Sequence, residues 1–242
     1  MSKKKLFTLA LVVIMIAILS FSTLAWFNDT DEVTNKFLVA GSDDDTPDEV
    51  FSVDVWETVD TDNDGTPENV GKEEDGGDAT FADILPGSKL VKQPMVVNTG
   101  YYDQYIRVVV TLSDAKAWVD ALGYGYDLSE IFVGHDETMW TRVKGTHDEN
   151  NDQLVYVYYL NKILKADESV ALFTHVQIPT QLDQEDMAKL NADGAAGFQL
   201  HIRADAIQTE NLGVNTEDAR HDAVEAFANA NWGNEANTEP QP

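Results

Sequence analysis

The sequence predicts a mainly β protein, an antiparallel β-sandwich with inserted helices. Three observations predict it. Several short segments alternate apolar and polar residues with period two. The connections between them are mostly too short for a crossover, so neighbouring strands should pair antiparallel. Neither a repeating strand–helix–strand alternation nor an internal repeat is present.

The elements follow in order. Residues 33–39 are a short strand candidate ended by Gly41, and 41–49 form an acidic loop. Phe51, Val53 and Val55 alternate with Ser52, Asp54 and Trp56, a strand of period two. Asn63-Asp64-Gly65 is a turn, and 71–78 is a second acidic, glycine-rich loop. A Pro86-Gly87 turn precedes two strands, 90–98 and 105–113. In the second, Ile106, Val108, Val110 and Leu112 share one face, and Arg107, Val109 and Thr111 the other.

Ser113 can cap a short helix over 114–122. Residues 139–144 and 154–160 read as a hairpin around a polar loop, 145–152. Residues 170–178 read as one strand, stopped by Pro179. Thr180 with Asp183 opens a helix running to about Asn191. Phe198, Leu200, Ile202, Ala204 and Ala206 alternate with Gln199, His201, Arg203 and Asp205, a late strand. A helix over 216–228 follows, and the polar tail 229–242 is expected to be disordered.

The front of the chain is organised differently. Lys3-Lys4-Lys5 precedes an apolar run from Leu6 to Leu19 broken only by Thr8, and small residues Ser20, Ser22, Thr23 and Ala25 follow. Basic, apolar, small is the order of a secretory signal peptide, with Thr23 and Ala25 as the small residues a signal peptidase reads. A single membrane anchor is the rival, because residues 6–27 carry no charge and could span a bilayer. Two observations favour cleavage: no basic cluster follows Phe27, and the small residues stand where a cut needs them. On either reading the bulk of the chain is exported. The expected organisation is a signal peptide over 1–25, an N-terminal segment over 26–41, a β-sandwich domain over 42–228 and the tail.

Composition narrows the function. There are 43 acidic and 16 basic residues, a formal net charge of −27. Loss of the three leading lysines takes it to about −30, which repels nucleic acid and anionic lipid and attracts cations. No nucleic-acid partner is expected, and contact with a membrane only through an uncleaved signal peptide. There is no cysteine, hence no disulfide, thiolate metal site or cysteine nucleophile.

Catalytic motifs are not seen. His135, His147, His175, His201 and His221 are scattered, and none belongs to HExxH. GxSxG, GxGxxG and the phosphate-binding loop are absent. One motif remains. Asp60-Thr61-Asp62-Asn63-Asp64-Gly65 spells the first half of a calcium loop, with oxygens at positions 1, 3 and 5 able to converge on one hard cation. Position 12 is Gly71 rather than a glutamate, and Glu68 and Glu73 miss the register. An acidic hairpin turn is the alternative, so the chain needs no cofactor unless calcium binds at Asp60, Asp62 and Asp64.

Three pieces of the sequence carry a family resemblance. Leu24-Ala25 is followed by Trp26-Phe27-Asn28-Asp29. Ile84-Leu85-Pro86-Gly87-Ser88-Lys89-Leu90 leads into Val96-Val97-Asn98-Thr99-Gly100 and the branched strand 105–112. The third is the late strand 198–207. Together they resemble the TasA/CalY (camelysin) family of exported proteins. The resemblance implies a jelly-roll sandwich and cleavage between Ala25 and Trp26 by a SipW-type signal peptidase. It implies a secreted subunit of extracellular biofilm-matrix or cell-surface fibres, in which the N-terminal segment of one copy completes the sheet of the next. That donor strand would use Trp26, Phe27, Val33, Phe37 and Val39. Partners would be further copies of the chain and other matrix proteins, and no enzyme activity is expected. Two other expectations are a cell-surface metallopeptidase, a label some camelysins carry without a supporting motif here, and an acidic cation-binding surface module.

Overall fold

The computed structural model describes residues 28–31, 51–62, 64–70, 79–81, 83–123, 126–190, 198–209 and 219–229. Ala25, Trp26, Phe27, Val33, Phe37 and Val39, the signal segment, both acidic loops 41–49 and 71–78, and 230–242 of the tail lie outside them.

The described residues form a mainly β sandwich of two antiparallel sheets with three α-helices. The strands are β1 (Asn28–Asp31), β2 (Val53–Asp60), β3 (Glu68–Val70), β4 (Lys89–Asn98), β5 (Gln104–Ser113), β6 (Phe132–Val133), β7 (Trp140–Asp148), β8 (Gln153–Leu160), β9 (Ser169–Ala171), β10 (His175–Gln177) and β11 (Leu200–Gln208). The helices are α1 (Ala115–Leu122), α2 (Gln184–Lys189) and α3 (Ala219–Asn229). One sheet has the order β1-β11-β5-β8-β7. The other runs β3-β2-β4-β10-β6, with β9 also paired to β4.

Burial explains the alternation. Every second residue of β4 from Leu90 to Asn98 is buried. Val53, Val55, Leu90 and Val96 from one sheet meet Ile106, Val108, Val110, Tyr156, Tyr158, Ile202, Ala204 and Ala206 from the other. These inward faces are the core. β5 is buried on both faces, because Tyr105 and Val109 on its outer side pack with Ile207, Tyr159 and Ala223, Ala226 and Phe227 of α3. Pro94, which cannot donate to a ladder, sits where β4 changes partner: β10 pairs through Val91 and β9 begins at Met95.

The Pro86-Gly87 turn forms as expected. Ser88 N–H donates to Leu85 O at 2.9 Å, and Gly87 takes φ +83°, as a type II turn requires.

Five local expectations change. The single strand over 170–178 is two, β9 and β10, separated by buried Leu172 and Phe173. The hairpin loop is shorter than 145–152, because β7 continues to Asp148 through a bulge between Val143 and Thr146. Gly145 lies in that bulge, where a Cβ would meet the Tyr156 ring at 2.4 Å. Ser113 does not cap α1: it ends β5, and its Oγ accepts from Gln199 N–H at 2.8 Å. The first amides of α1 are taken instead by Asp152, whose carbonyl accepts from Ala115 and whose Oδ1 accepts from Lys116. α2 ends by Leu190, opened by Asp183 in a reciprocal capping box with Asp186. Asn229 belongs to α3 rather than to the tail.

Candidate functional site

Two features carry functional possibilities. The first is the β2–β3 hairpin loop. β2 ends at Asp60, which is only 5% exposed. The chain then turns back through Gly65, at φ +84°, a left-handed conformation glycine adopts without strain. Local amides order the carboxylates. Gly65 N–H donates to Asp60 Oδ2 at 3.0 Å, Asp64 N–H to Asp62 Oδ1 at 3.2 Å, and Thr66 N–H to Asp64 Oδ1 at 2.7 Å. One carboxylate oxygen from each of Asp60, Asp62 and Asp64 then lies within 4.8 Å of the others. The structure therefore brings the three sequence-predicted ligands together. Asp60 Oδ1 is buried without a hydrogen-bond partner. Among the described residues no lysine or arginine forms an ion pair with any of the three.

Among the described residues this is also the one group of three or more potential metal-ligating side chains. Among the described residues the histidines do not converge. His135 packs 5.2 Å from the Tyr158 ring, and burial lowers its pKa. His147 Nε2 lies 3.5 Å from Asp152 Oδ1. His175 Nδ1 lies 2.9 Å from Thr174 Oγ1, and its pKa is lowered by burial first and by Lys89 second. His201 is exposed on β11. His221 is in α3, and its side chain is outside the described residues.

The second feature is the edge strand β1. It pairs antiparallel with β11 of the same chain: Asn28 opposite Ile207, Asp29 opposite Ala206, Thr30 opposite Asp205 and Asp31 opposite Ala204. β1 precedes the expected strand 33–39, which lies outside the described residues.

Beside this edge is a buried ionic group that the sequence reading did not single out. Arg107 Nε and Nη2 donate to Asp205 Oδ2 at 2.9 and 2.5 Å, and both side chains are almost wholly buried. Arg203 Nε donates to the other Asp205 oxygen at 3.1 Å. The Arg107 guanidinium lies 4.9 Å from the centroid of the Phe227 ring of α3. The signal was present in the sequence: one cation in β5 and one anion in β11, each among apolar neighbours, on strands that pair Arg107 with Asp205.

Comparison with protein-family models, curated proteins and solved structures finds no match. No helix among the described residues is long and apolar enough to cross a membrane.

Proposed function

We propose that the chain is an exported structural subunit of extracellular fibres, of the biofilm-matrix or cell-surface kind, joined by exchange of its N-terminal strand. The observation that carries the reading is the position of β1, at the edge of a sheet and paired along one side to β11. With β1 withdrawn, residues 204–207 of β11 would present unpaired amides and carbonyls, a template for a strand from another copy. Donor strand and acceptor edge occupy different places on one molecule, so the contact is head-to-tail and need not close. The resemblance of 24–29, 84–100 and 198–207 to the TasA/CalY family supports the same reading. It adds a SipW-type peptidase that frees Trp26, and other matrix proteins as partners.

The absence of cysteine makes a direct test possible. Asp29→Cys with Ala206→Cys places two thiols on directly opposed residues, within disulfide reach. Mature chains oxidised under fibre-forming conditions are expected to give a ladder of covalent multimers on a non-reducing gel. Intramolecular disulfides alone, with fibres still forming, would exclude strand exchange as the joint.

A further inference from the structure

We propose that the β2–β3 hairpin loop is a calcium site formed by Asp60, Asp62 and Asp64. This inference does not depend on fibre assembly.

The argument begins with Asp60. A buried carboxylate is tolerated when both oxygens have partners. Here Oδ2 accepts from Gly65 N–H across the loop, so the group faces the loop interior. The other oxygen, Oδ1, has no donor in reach although Asp60 is 5% exposed. Two further carboxylates come within 4.8 Å, and among the described residues no lysine or arginine is paired to any of the three. Three like charges and one orphaned buried oxygen are unfavourable by themselves. A cation among them satisfies the orphan and turns repulsion into attraction.

The donor chemistry selects the ion. Three carboxylates on alternate residues are hard oxygen ligands on an irregular loop, which suits calcium. Magnesium demands near-octahedral geometry and keeps its waters. Among the described residues no nitrogen or sulfur ligand joins the cluster, so zinc and copper are disfavoured. The loop also departs from the helix–loop–helix calcium site. It closes as a β-hairpin, Glu68 enters β3, and no glutamate stands at position 12. With fewer protein ligands, affinity should fall in the range of extracellular modules, roughly 0.1–1 mM.

The ion would have a structural effect. β3 is an edge strand held to β2 through three pairs, Glu57 with Val70, Thr58 with Asn69 and Val59 with Glu68. A bound cation would tie the end of β2 to the start of β3 and fasten this edge.

The test uses the purified full chain stripped with a chelator. Melting temperature is measured across about 0.01–10 mM calcium at ionic strength held constant with NaCl. Calorimetric titration counts sites. The expected result is one saturable site and a rise in Tm of about 3–6 °C at tenfold excess over Kd. Asp62→Asn/Asp64→Asn should remove both. Both residues are exposed, and asparagine keeps the oxygen that accepts from Asp64 and Thr66 N–H, so the turn survives. A wild-type Tm that follows ionic strength alone overturns the proposal. So does a calcium response unchanged in the double variant. An equal response to magnesium overturns calcium as the ion.

Discussion

At the residue scale, a few buried polar side chains tie distant segments of this sandwich together. Asn98 is fully buried, yet every group is used. Its Nδ2 donates to Tyr102 O at 2.8 Å and Leu164 O at 3.0 Å, and its Oδ1 accepts from Gly100 N–H at 3.0 Å. Gly100 must be glycine because a Cβ there would lie 2.7 Å from Ser52 N. The Asn-Thr-Gly motif read from the sequence therefore has a physical reason, a tight turn tied to two other segments. Arg107 and Asp205 make the sharper prediction. Arg107→Met leaves a buried carboxylate with Arg203 as its remaining arginine, and should cost about 3–5 kcal/mol in urea unfolding. Arg107→Met with Asp205→Leu removes both charges and should recover most of that loss. A double variant as unstable as the single one would mean that shape, rather than the stranded charge, sets the cost.

At the scale of elements, the misplaced helix cap shows what a local reading misses. Ser113 looked like the N-cap of α1 because serine before an apolar helix normally is one. β5 instead runs through Ser113, and the cap comes from Asp152, in the turn between β7 and β8. A partner 36 residues away leaves no local trace. The same holds for β9 and β10, where an uninterrupted strand-like segment over 170–178 hid the change of pairing along β4. β4 was legible because its burial alternates strictly, and β2, β5 and β11 because at least one face of each is buried and the apolar residues on that face recur with period two. Asp152→Ala should lower stability by about 1 kcal/mol. Asp152→Asn should be nearly silent, since asparagine accepts the same bond and tolerates the positive φ of 51°. A second contact between elements gives a pH signature. Asp127, at the N-cap of the short 3-10 turn Leu128–Ile131, takes a two-pronged bond from Arg142 of β7 at 2.9 and 2.8 Å. Arg142 is the main reason its pKa falls to about 2. A depressed carboxylate pKa contributes stability that is present above the unfolded value near 3.8 and lost as pH falls through about 2. The Asp127 side chain is 44% exposed, so solvent screening keeps the contribution small. Carboxyl NMR of the Arg142→Gln variant should show Asp127 titrating well above the wild-type value. An unchanged midpoint would mean that the Ser129 hydroxyl and amide hold the carboxylate by themselves.

At the scale of the whole molecule, charge and edge act against each other. The three aspartates of the hairpin were legible because their spacing is local, whereas the pairing of β1 with β11 joins positions near opposite ends of the chain and no spacing announces it. A formal charge of −27 makes copies repel at distances up to the Debye length, about 10 Å in 0.1 M salt and about 3 Å in 1 M. Strand exchange, in contrast, needs two copies in contact along a four-residue ladder. Repulsion should therefore slow the encounter, while the hydrogen bonds of the ladder, short-ranged and mostly neutral, hold once formed. The prediction is that NaCl between about 0.05 and 0.5 M speeds fibre growth of the mature chain with little change in fibre morphology. The kinetics are read by light scattering and the product by electron microscopy. Thr30→Pro gives the matching control, because proline removes the amide at the centre of the β1–β11 pairing. That variant should stay unassembled at every salt concentration. If it assembles in high salt as fast as wild type, screening promotes a different contact, and β1 is not the strand that joins the copies.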